Sequence, residues 1–347
     1  MSFRHWVSIV SFITVILLVI FSWQDIVRAL DLLWRVQWWV IALIIPVQVF
    51  SYYASGEILV SFLRAKKELM HVKPLEIVRF SLEFNFVNHV LPSGGLSGIS
   101  YANWRFKHLG VSSARITLAQ ALRFIVTFVA YLILLLISLL FLALDGNVSR
   151  LMILFASSIS TLIVLSTLLF VYIISSTNRV RTIARQLTNA LNAVLNRFLR
   201  KRKNIIAEAR VENFFMQMHA DYIEVKHNPR QLRRPLAWGF AFIIFDIMLF
   251  FLVFASFGQF VNPAALLVAY GLAGVAGAFV VTPGGAGAYE AVMISVLASA
   301  GVSQGTAILG ILLARVILII MTIGTGYIFY QMALLKFGKD GINPTRR

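Results

Sequence analysis

Repeated apolar runs, each long enough to cross a bilayer, constrain the fold of this chain more than any other feature. A transmembrane helix needs about 20 predominantly apolar residues. We predict six full crossings, at 7–23, 38–60, 116–144, 151–174, 236–257 and 307–333. Hydrophobic residues make up 59% of the 347 positions and charged residues 13%, which excludes an ordinary soluble protein. The sequence therefore predicts an all-α polytopic membrane protein with one integral membrane domain over 1–347.

Two proline-glycine breaks interrupt this apolar sequence, one in each half. The region 75–100 is too polar for a lipid-facing span and contains Pro92, Gly94 and Gly95. The region 264–301 contains a run of small residues, then a break at 282–290 and a short apolar arm. Ten helical residues rise about 15 Å, which is half of the hydrocarbon core. We therefore predict that each region is a re-entrant helical hairpin.

The distribution of basic residues favours hairpins over full crossings. The chain has 31 Lys and Arg against 14 Asp and Glu, and cytoplasmic loops of membrane proteins carry an excess of Lys and Arg. If 75–100 crossed fully, the basic stretches 64–67 and 179–234 would lie on opposite sides. Six crossings with two hairpins place both stretches and both termini in the cytoplasm. We expect a bacterial inner (plasma) membrane protein, and no nucleic-acid partner.

The two breaks share flanking sequence, which predicts an inverted-topology repeat, a design common among transporters. Pro92 and Gly94 correspond to Pro283 and Gly285, and a Gly-Val-Ser triplet follows each break at a constant distance. Repeat 1 covers 75–144 and repeat 2 covers 264–333. Each ends in a long helix with an embedded arginine.

The basic segment 179–234 is predicted to be a cytoplasmic amphipathic loop. Helical spacing over 181–200 places apolar residues on one face. Such a helix can lie on the inner leaflet and bind its anionic lipids. The alternative is that these charges only fix the topology.

Non-helical backbone at membrane depth is tolerated only where protein or water covers it, so both breaks should line a cavity. Glycines allow close approach of a ligand, and the start of the following helix favours an anion such as a lipid phosphate. The alternative is close helix packing. The candidate substrate-binding residues are Asn88, Pro92, Gly94, Gly95, Arg123, Pro283, Gly284, Gly285, Gly287, Glu290 and Arg315.

Glu290 is the carboxylate closest to the second break. It falls in the first turn of a helix, where capping alone can explain it, but a carboxylate in an apolar segment usually has a partner. The candidate partners are Arg123 and Arg315, and our hypothesis is that one of them pairs with Glu290 at a charged lipid headgroup. Asn88 either caps the first break or binds the headgroup. Arg79, Glu83 and Asp246 are further charges at membrane depth.

No catalytic, metal-binding or cofactor-binding motif is present. His89 has no second ligand at metal spacing, and no P-loop, nucleophile elbow or zinc-protease motif occurs. We therefore expect no catalytic residue, no metal and no cofactor, although enzyme activity stays open.

At these residues the chain resembles the lysylphosphatidylglycerol synthase/flippase transmembrane family, the membrane part of the multiple peptide resistance factor proteins. The resemblance covers roughly 10–335. It rests on Asn88-x-x-Leu91-Pro92 with Gly94-Gly95, on Gly110-Val111 with Ala114, on Arg123, on the block 283–290, on Gly301-Val302 and on Arg315. The first block lacks the acid that commonly follows the proline in this family, so a two-carboxylate site is not implied. The soluble aminoacyltransferase domain of two-domain relatives is not found after residue 335.

The resemblance implies lipid translocation or lipid-headgroup handling, with a phospholipid or glycolipid as substrate. The rival hypotheses are a membrane-embedded transferase on lipid-linked substrates, an accessory subunit of one, and a scaffold without substrate. The number of copies in an oligomer stays open.

Overall fold

The structure, a computed structural model, describes residues 36–90, 96–144, 150–199, 207–279 and 287–337, and within these ranges the chain is helical without strands. The α-helices in these ranges are α1 (Trp38–Ala65), α2 (Pro74–Val90), α3 (Leu96–Lys107), α4 (Ser113–Leu144), α5 (Arg150–Ile174), α6 (Thr177–Leu199), α7 (Glu208–His227), α8 (Arg233–Ser256), α9 (Pro263–Phe279), α10 (Ala288–Ser299), α11 (Gln304–Leu318) and α12 (Thr325–Phe337). A 3-10 turn (Pro229–Leu232) precedes α8, and a π-helical turn (Ile319–Gly324) joins α11 to α12.

Five helical stretches of the described chain are long and apolar enough to cross a membrane. They are Trp38–Ala65, Ser113–Leu140, Ala156–Ile174, Pro229–Ser256 and Gln304–Phe337. They coincide with five of the predicted crossings, and the sixth, 7–23, lies outside the described residues. The prediction of an all-α polytopic membrane fold is confirmed.

Shorter helices fill the two regions for which hairpins were predicted. The helices α2 and α3 pack against each other in the first region, as do α9 and α10 in the second. A long helix, α4 or α11, follows each pair. The tips of both regions, 91–95 and 280–286, lie outside the described residues, so re-entry into the membrane and the repeat stay predictions.

The helices α1 and α8 form the central antiparallel pair of the bundle. The Gln37 backbone N–H donates to the Ser256 carbonyl oxygen over 2.9 Å near one end of the pair. Further along, the rings of Phe50 and Phe245 stack with centroids 5.0 Å apart. Such aromatic contacts add specific geometry to apolar burial. The packing of α1 against α8 therefore fixes which polar side chains of the two helices lie opposite each other.

Two apolar clusters divide the core. One joins the first part of α1 with α5, α8, α9, α10 and α11, and it includes Ile44. The other joins the last part of α1 with α2, α3, α7 and α12, and it includes Leu59. Buried polar side chains, Gln48, Ser51 and Ser55, lie on α1 between these two clusters. These buried polar side chains therefore lie where the two apolar clusters adjoin along α1.

Apolar side chains cover the outer faces of α4 and α5. Leu136 and Leu140 on α4, and Leu165, Leu168 and Leu169 on α5, are more than half exposed. This many exposed leucines indicate that the two faces contact apolar surroundings and not water. These faces are suited to contact lipid chains.

Ion pairs join α7 to the ends of α1 and α4. Lys66 pairs with Glu224, and the Arg115 Nε lies 3.2 Å from an Asp221 oxygen. The hydrogen bond from Lys66 lowers the pKa of the Glu224 carboxyl below its ordinary value of 4.5. The helix α7 also pairs with α6 through Glu212. The segment after α5 is therefore attached to the bundle.

Candidate functional site

A cavity of about 210 Å³, with several polar and charged side chains in its wall, opens among α1, α2, α8, α9, α10 and α11. It is lined by the side chains of Gln48, Ser51, Tyr52, Asn85, His89, Phe242, Asp246, Leu249, Phe250, Tyr270, Tyr289, Glu290, Ile311, Arg315, Leu318 and Thr322. Three of its six helices, α1, α8 and α11, belong to stretches long enough to cross a membrane, and the other three lie between such stretches in the chain. Polar and charged groups at this depth are costly and usually functional. We take this cavity as the candidate site.

Glu290 joins the start of α10 to α11. Its Oε2 accepts a hydrogen bond from the Gly287 backbone N–H over 2.6 Å, and its Oε1 lies 3.0 Å from the Arg315 Nε. Gly287 has a backbone φ of +90°, which residues other than glycine rarely adopt. Both side chains of the ion pair are less than one fifth exposed. The carboxylate thus caps a helix and also neutralises a buried guanidinium.

The structure therefore distinguishes between the two arginines considered for Glu290. Arg315 forms the pair. Arg123 instead donates to the Ser55 Oγ over 2.6 Å, and its guanidinium stands 4.5 Å from the centre of the Phe84 ring. Arg123 is not among the residues that line the cavity.

Asp246 forms the second acidic centre of the cavity. Its Oδ1 accepts a hydrogen bond from the Ser51 Oγ over 2.9 Å, and its Oδ2 accepts one from the Tyr270 hydroxyl over 2.6 Å. These donors come from α1 and α9, so the carboxylate connects three helices. Both donors are neutral. Hydrogen bonds to an ionised group are stronger than neutral ones, and they fix the carboxylate in the cavity wall.

The remaining polar wall is contributed by α1, α2 and the π-helical turn. The Tyr52 hydroxyl is hydrogen-bonded to the Thr322 Oγ1. π-Helical turns often occur at functional sites, and here the turn contributes Thr322 to the cavity wall. The His89 Nδ1 lies 2.8 Å from the Asn85 carbonyl oxygen. Because a carbonyl oxygen only accepts, this hydrogen bond requires the proton on Nδ1, and Nε2 of the neutral ring is then an acceptor.

Asn88 caps the helix that follows the first break. Its Oδ1 accepts a hydrogen bond from the Gly98 backbone N–H over 2.9 Å and contacts the Ser97 Oγ. A Cβ on Gly98 would lie 2.4–2.6 Å from side-chain atoms of Asn88, so only glycine permits this approach. Of the two roles considered for Asn88, the structure shows the cap, which holds the end of α2 against α3.

The other candidate residues of the breaks lie outside the described residues. They are Pro92, Gly94, Gly95, Pro283, Gly284 and Gly285. The described chain ends at Val90 and resumes at Leu96 around the first break, and it ends at Phe279 and resumes at Gly287 around the second. A role for these six residues in binding stays a prediction.

Sequence reasoning missed the partners of Asp246 and the participation of Gln48. Asp246 stood out as a charge in an apolar helix, which was a usable signal. Ser51 and Gln48 had no comparable signal, because single polar residues are common in long helices. Gln48 is 2% exposed and lines the cavity.

The residues that line the cavity carry two carboxylates against one guanidinium. With His89 neutral and Asp246 ionised, the lining has one negative charge in excess. Among the described residues, no group of three or more His, Asp or Glu side chains is placed to hold a metal ion. The arrangement can bind a polar group that presents both an acceptor for Arg315 and donors for the carboxylates.

Comparison with known proteins identifies one family. The family described as lysylphosphatidylglycerol synthase TM region matches residues 6–326, which is most of the chain. No curated protein and no solved structure matches the chain.

Proposed function

Since this chain belongs to the lysylphosphatidylglycerol synthase transmembrane family, we propose that it moves a membrane lipid between leaflets and binds the polar headgroup of that lipid in its central cavity. The membership establishes a lipid-related membrane protein, and the translocation is our inference. The observation that carries it is the cavity itself, where Glu290, Arg315 and Asp246 meet inside apolar helices. A site of this kind offers a lipid headgroup a polar route through the hydrocarbon region.

In this proposal Arg315 contacts the phosphate of the headgroup. A guanidinium binds phosphate through paired hydrogen bonds. Glu290 occupies part of the guanidinium in the structure, so a phosphate would exchange with that carboxylate. The exchange keeps Arg315 neutralised in both the empty and the occupied cavity, and Glu290 keeps the hydrogen bond from the Gly287 N–H.

The apolar faces of the bundle suit the acyl chains of the same lipid. The outward leucines of α4 and α5 are in position to contact hydrocarbon. The headgroup would therefore travel through the protein while the chains stay in the bilayer. This division requires no pocket for the whole lipid.

We infer that the end of the bundle that carries α7 faces the cytoplasm. The basic residues Lys66, Arg115 and Arg230 lie at this end, near the ion pairs of α7. An excess of Lys and Arg marks cytoplasmic loops, and such loops attract anionic lipids of the inner leaflet. A bacterial inner membrane with both termini inside satisfies this arrangement.

A leaflet-resolved assay tests the proposal. The purified chain is placed in phosphatidylcholine vesicles with a trace of phosphatidylglycerol, phosphatidylethanolamine or a glycolipid, each carrying a fluorophore that dithionite bleaches from outside. We expect bleaching beyond the outer-leaflet share for at least one probe. We expect Arg315→Gln to abolish it and Ser295→Ala, on the exposed face of α10, to preserve it. Bleaching limited to the outer leaflet for all three probes would refute translocation.

A further inference from the structure

Asp246 has no charged partner in the part of the chain that the structure describes. It lies in the middle of α8, a helix long and apolar enough to cross the membrane. None of the ion pairs among the described residues includes it. The donors on its two oxygens, Ser51 and Tyr270, are neutral hydroxyls. An ionised carboxylate buried without a cation is expensive, so such groups are usually paired or protonated.

Gln48 provides a second, independent observation in the same cavity. The side chain is 2% exposed, and its Oε1 is buried without a hydrogen-bond partner among the described residues. Gln48 precedes Ser51 by three positions, so both project from the same face of α1. Buried polar atoms nearly always have a hydrogen-bond partner, so an atom without one indicates that a bound group is needed there. The missing partner is a donor or a cation, since a carbonyl oxygen only accepts.

The groups that face Asp246 do not supply that positive charge. They are Tyr52 from α1, His89 from α2, Tyr270 from α9, Tyr289 and Glu290 from α10, and Arg315 from α11. From α4, Tyr131 donates to the Leu267 carbonyl oxygen of α9 and does not line the cavity. Arg315 is engaged with Glu290. Arg233 and Arg234, on α8 itself, start that helix about 20 Å away along its axis. The position of Asp246 thus combines acceptor oxygens with a local excess of negative charge.

We propose that Asp246, Gln48, Ser51 and Tyr270 form a binding site for a monovalent cation, either a proton or Na⁺. A proton would bind one carboxylate oxygen of Asp246. A sodium ion would take oxygen ligands from the carboxylate, the amide and the hydroxyls, as hard cations prefer. Either ion removes the excess negative charge of the cavity and supplies the partner that the Gln48 oxygen lacks.

The effect of the cation on transport rests on the proposed function. A cavity with excess negative charge repels a phosphate, and a cation at Asp246 removes this repulsion. Binding of the cation and binding of the headgroup therefore strengthen each other by the same factor. Because of this linkage, a cation gradient across the membrane can drive lipid movement.

Infrared difference spectroscopy tests the site without any need for lipid movement. The chain in phosphatidylcholine vesicles is exposed to a pH step in choline chloride, and separately to replacement of choline by Na⁺ at constant pH. For a proton we expect a carboxylic-acid C=O band in the pH step that Asp246→Asn removes. For Na⁺ we expect a carboxylate band that follows Na⁺ concentration, with half-saturation about tenfold higher in Gln48→Ala, the loss of one bond to a charged group.

Two further variants keep the test decisive. Glu224→Gln removes a carboxylate at the surface of α7 and must retain the Asp246 band. Ser51→Ala keeps the carboxylate, loses one donor and must shift the frequency of the band, even if Asp246→Asn does not fold. The proposal is overturned if the wild type shows neither band, or if Ser51→Ala gives the wild-type difference spectrum in both arms. That result leaves lipid translocation untouched, whereas a failed vesicle assay leaves the cation site untouched.

Discussion

The ion pair between Glu290 and Arg315 allows a quantitative test of how the cavity is built. Glu290→Ala removes the acceptor of the Gly287 N–H and the neutraliser of Arg315, and leaves a guanidinium whose side chain is only 17% exposed. Loss of one partner of a buried pair costs about 3–5 kcal/mol. Glu290→Gln retains the shape and one acceptor oxygen, so we expect a smaller loss of about 1.5–3 kcal/mol, the contribution of a hydrogen bond to a charged group.

The decisive measurement is a double-mutant cycle. The free energy of unfolding is measured by denaturant titration in mixed micelles for wild type, Glu290→Gln, Arg315→Gln and the double variant. Since the double variant leaves no charge unpaired, its loss should be smaller than the sum of the single losses by about 1–3 kcal/mol. Ser295→Ala, exposed on the same helix, serves as the control and should change stability by less than about 0.5 kcal/mol.

Additive losses would contradict this reasoning. If the double variant lost the sum of the single effects within about 0.5 kcal/mol, the two side chains would not interact energetically. Glu290 and Arg315 would then be close in space without stabilising each other. Arg315 could not be regarded as neutralised by Glu290 in the empty cavity.

Two other predictions concern the Asn88 cap and the cytoplasmic end. Gly98→Ala places a Cβ 2.4–2.6 Å from atoms of Asn88, so we expect the cap to be lost and the protein to be destabilised by about 1–2 kcal/mol. The control Gly305→Ala, with open space around the new Cβ, should not destabilise the protein, and equal melting temperatures of the two variants would contradict the cap. The lowered pKa of Glu224 contributes stability above pH 4.5 that is lost as the pH falls below it. Protection of the α7 amides against hydrogen exchange, relative to the intrinsic exchange rate at each pH, should therefore fall at low pH. The fall should be smaller in Glu224→Gln, which already lacks the charge attracted by Lys66, and identical pH profiles of protection would refute this.

The positions of the long helices along the chain were predictable because each is visible in the sequence as a long apolar run. A run such as 116–144 or 307–333 has no stable alternative to a buried or membrane-spanning helix. The pairing of Glu290 with an arginine was also predictable, since a carboxylate at this depth needs a partner. These inferences depend on local sequence and on the cost of burying charge.

The choice of partners was not predictable in the same way. Arg123 and Arg315 follow their breaks at distances that differ by one residue, so position along the chain did not distinguish them. The packing of α1 and α2 directs Arg123 to Ser55 and Phe84. Ser51 and Asp246 are 195 residues apart. Their contact arises from the register of the α1–α8 pair, which no periodicity in a single sequence specifies.

The central claim, that a lipid headgroup passes through the cavity, is tested most directly by blocking the cavity chemically. The chain has no cysteine, so a single introduced thiol is unique. Leu318→Cys places it in the apolar part of the cavity wall, and Ser295→Cys places it on the exposed face of α10. Lipid movement in the dithionite assay is measured before and after reaction with a bulky maleimide. We expect modification of Leu318→Cys to stop the movement and modification of Ser295→Cys to leave it unchanged. Equal movement in both modified proteins would contradict passage through the cavity.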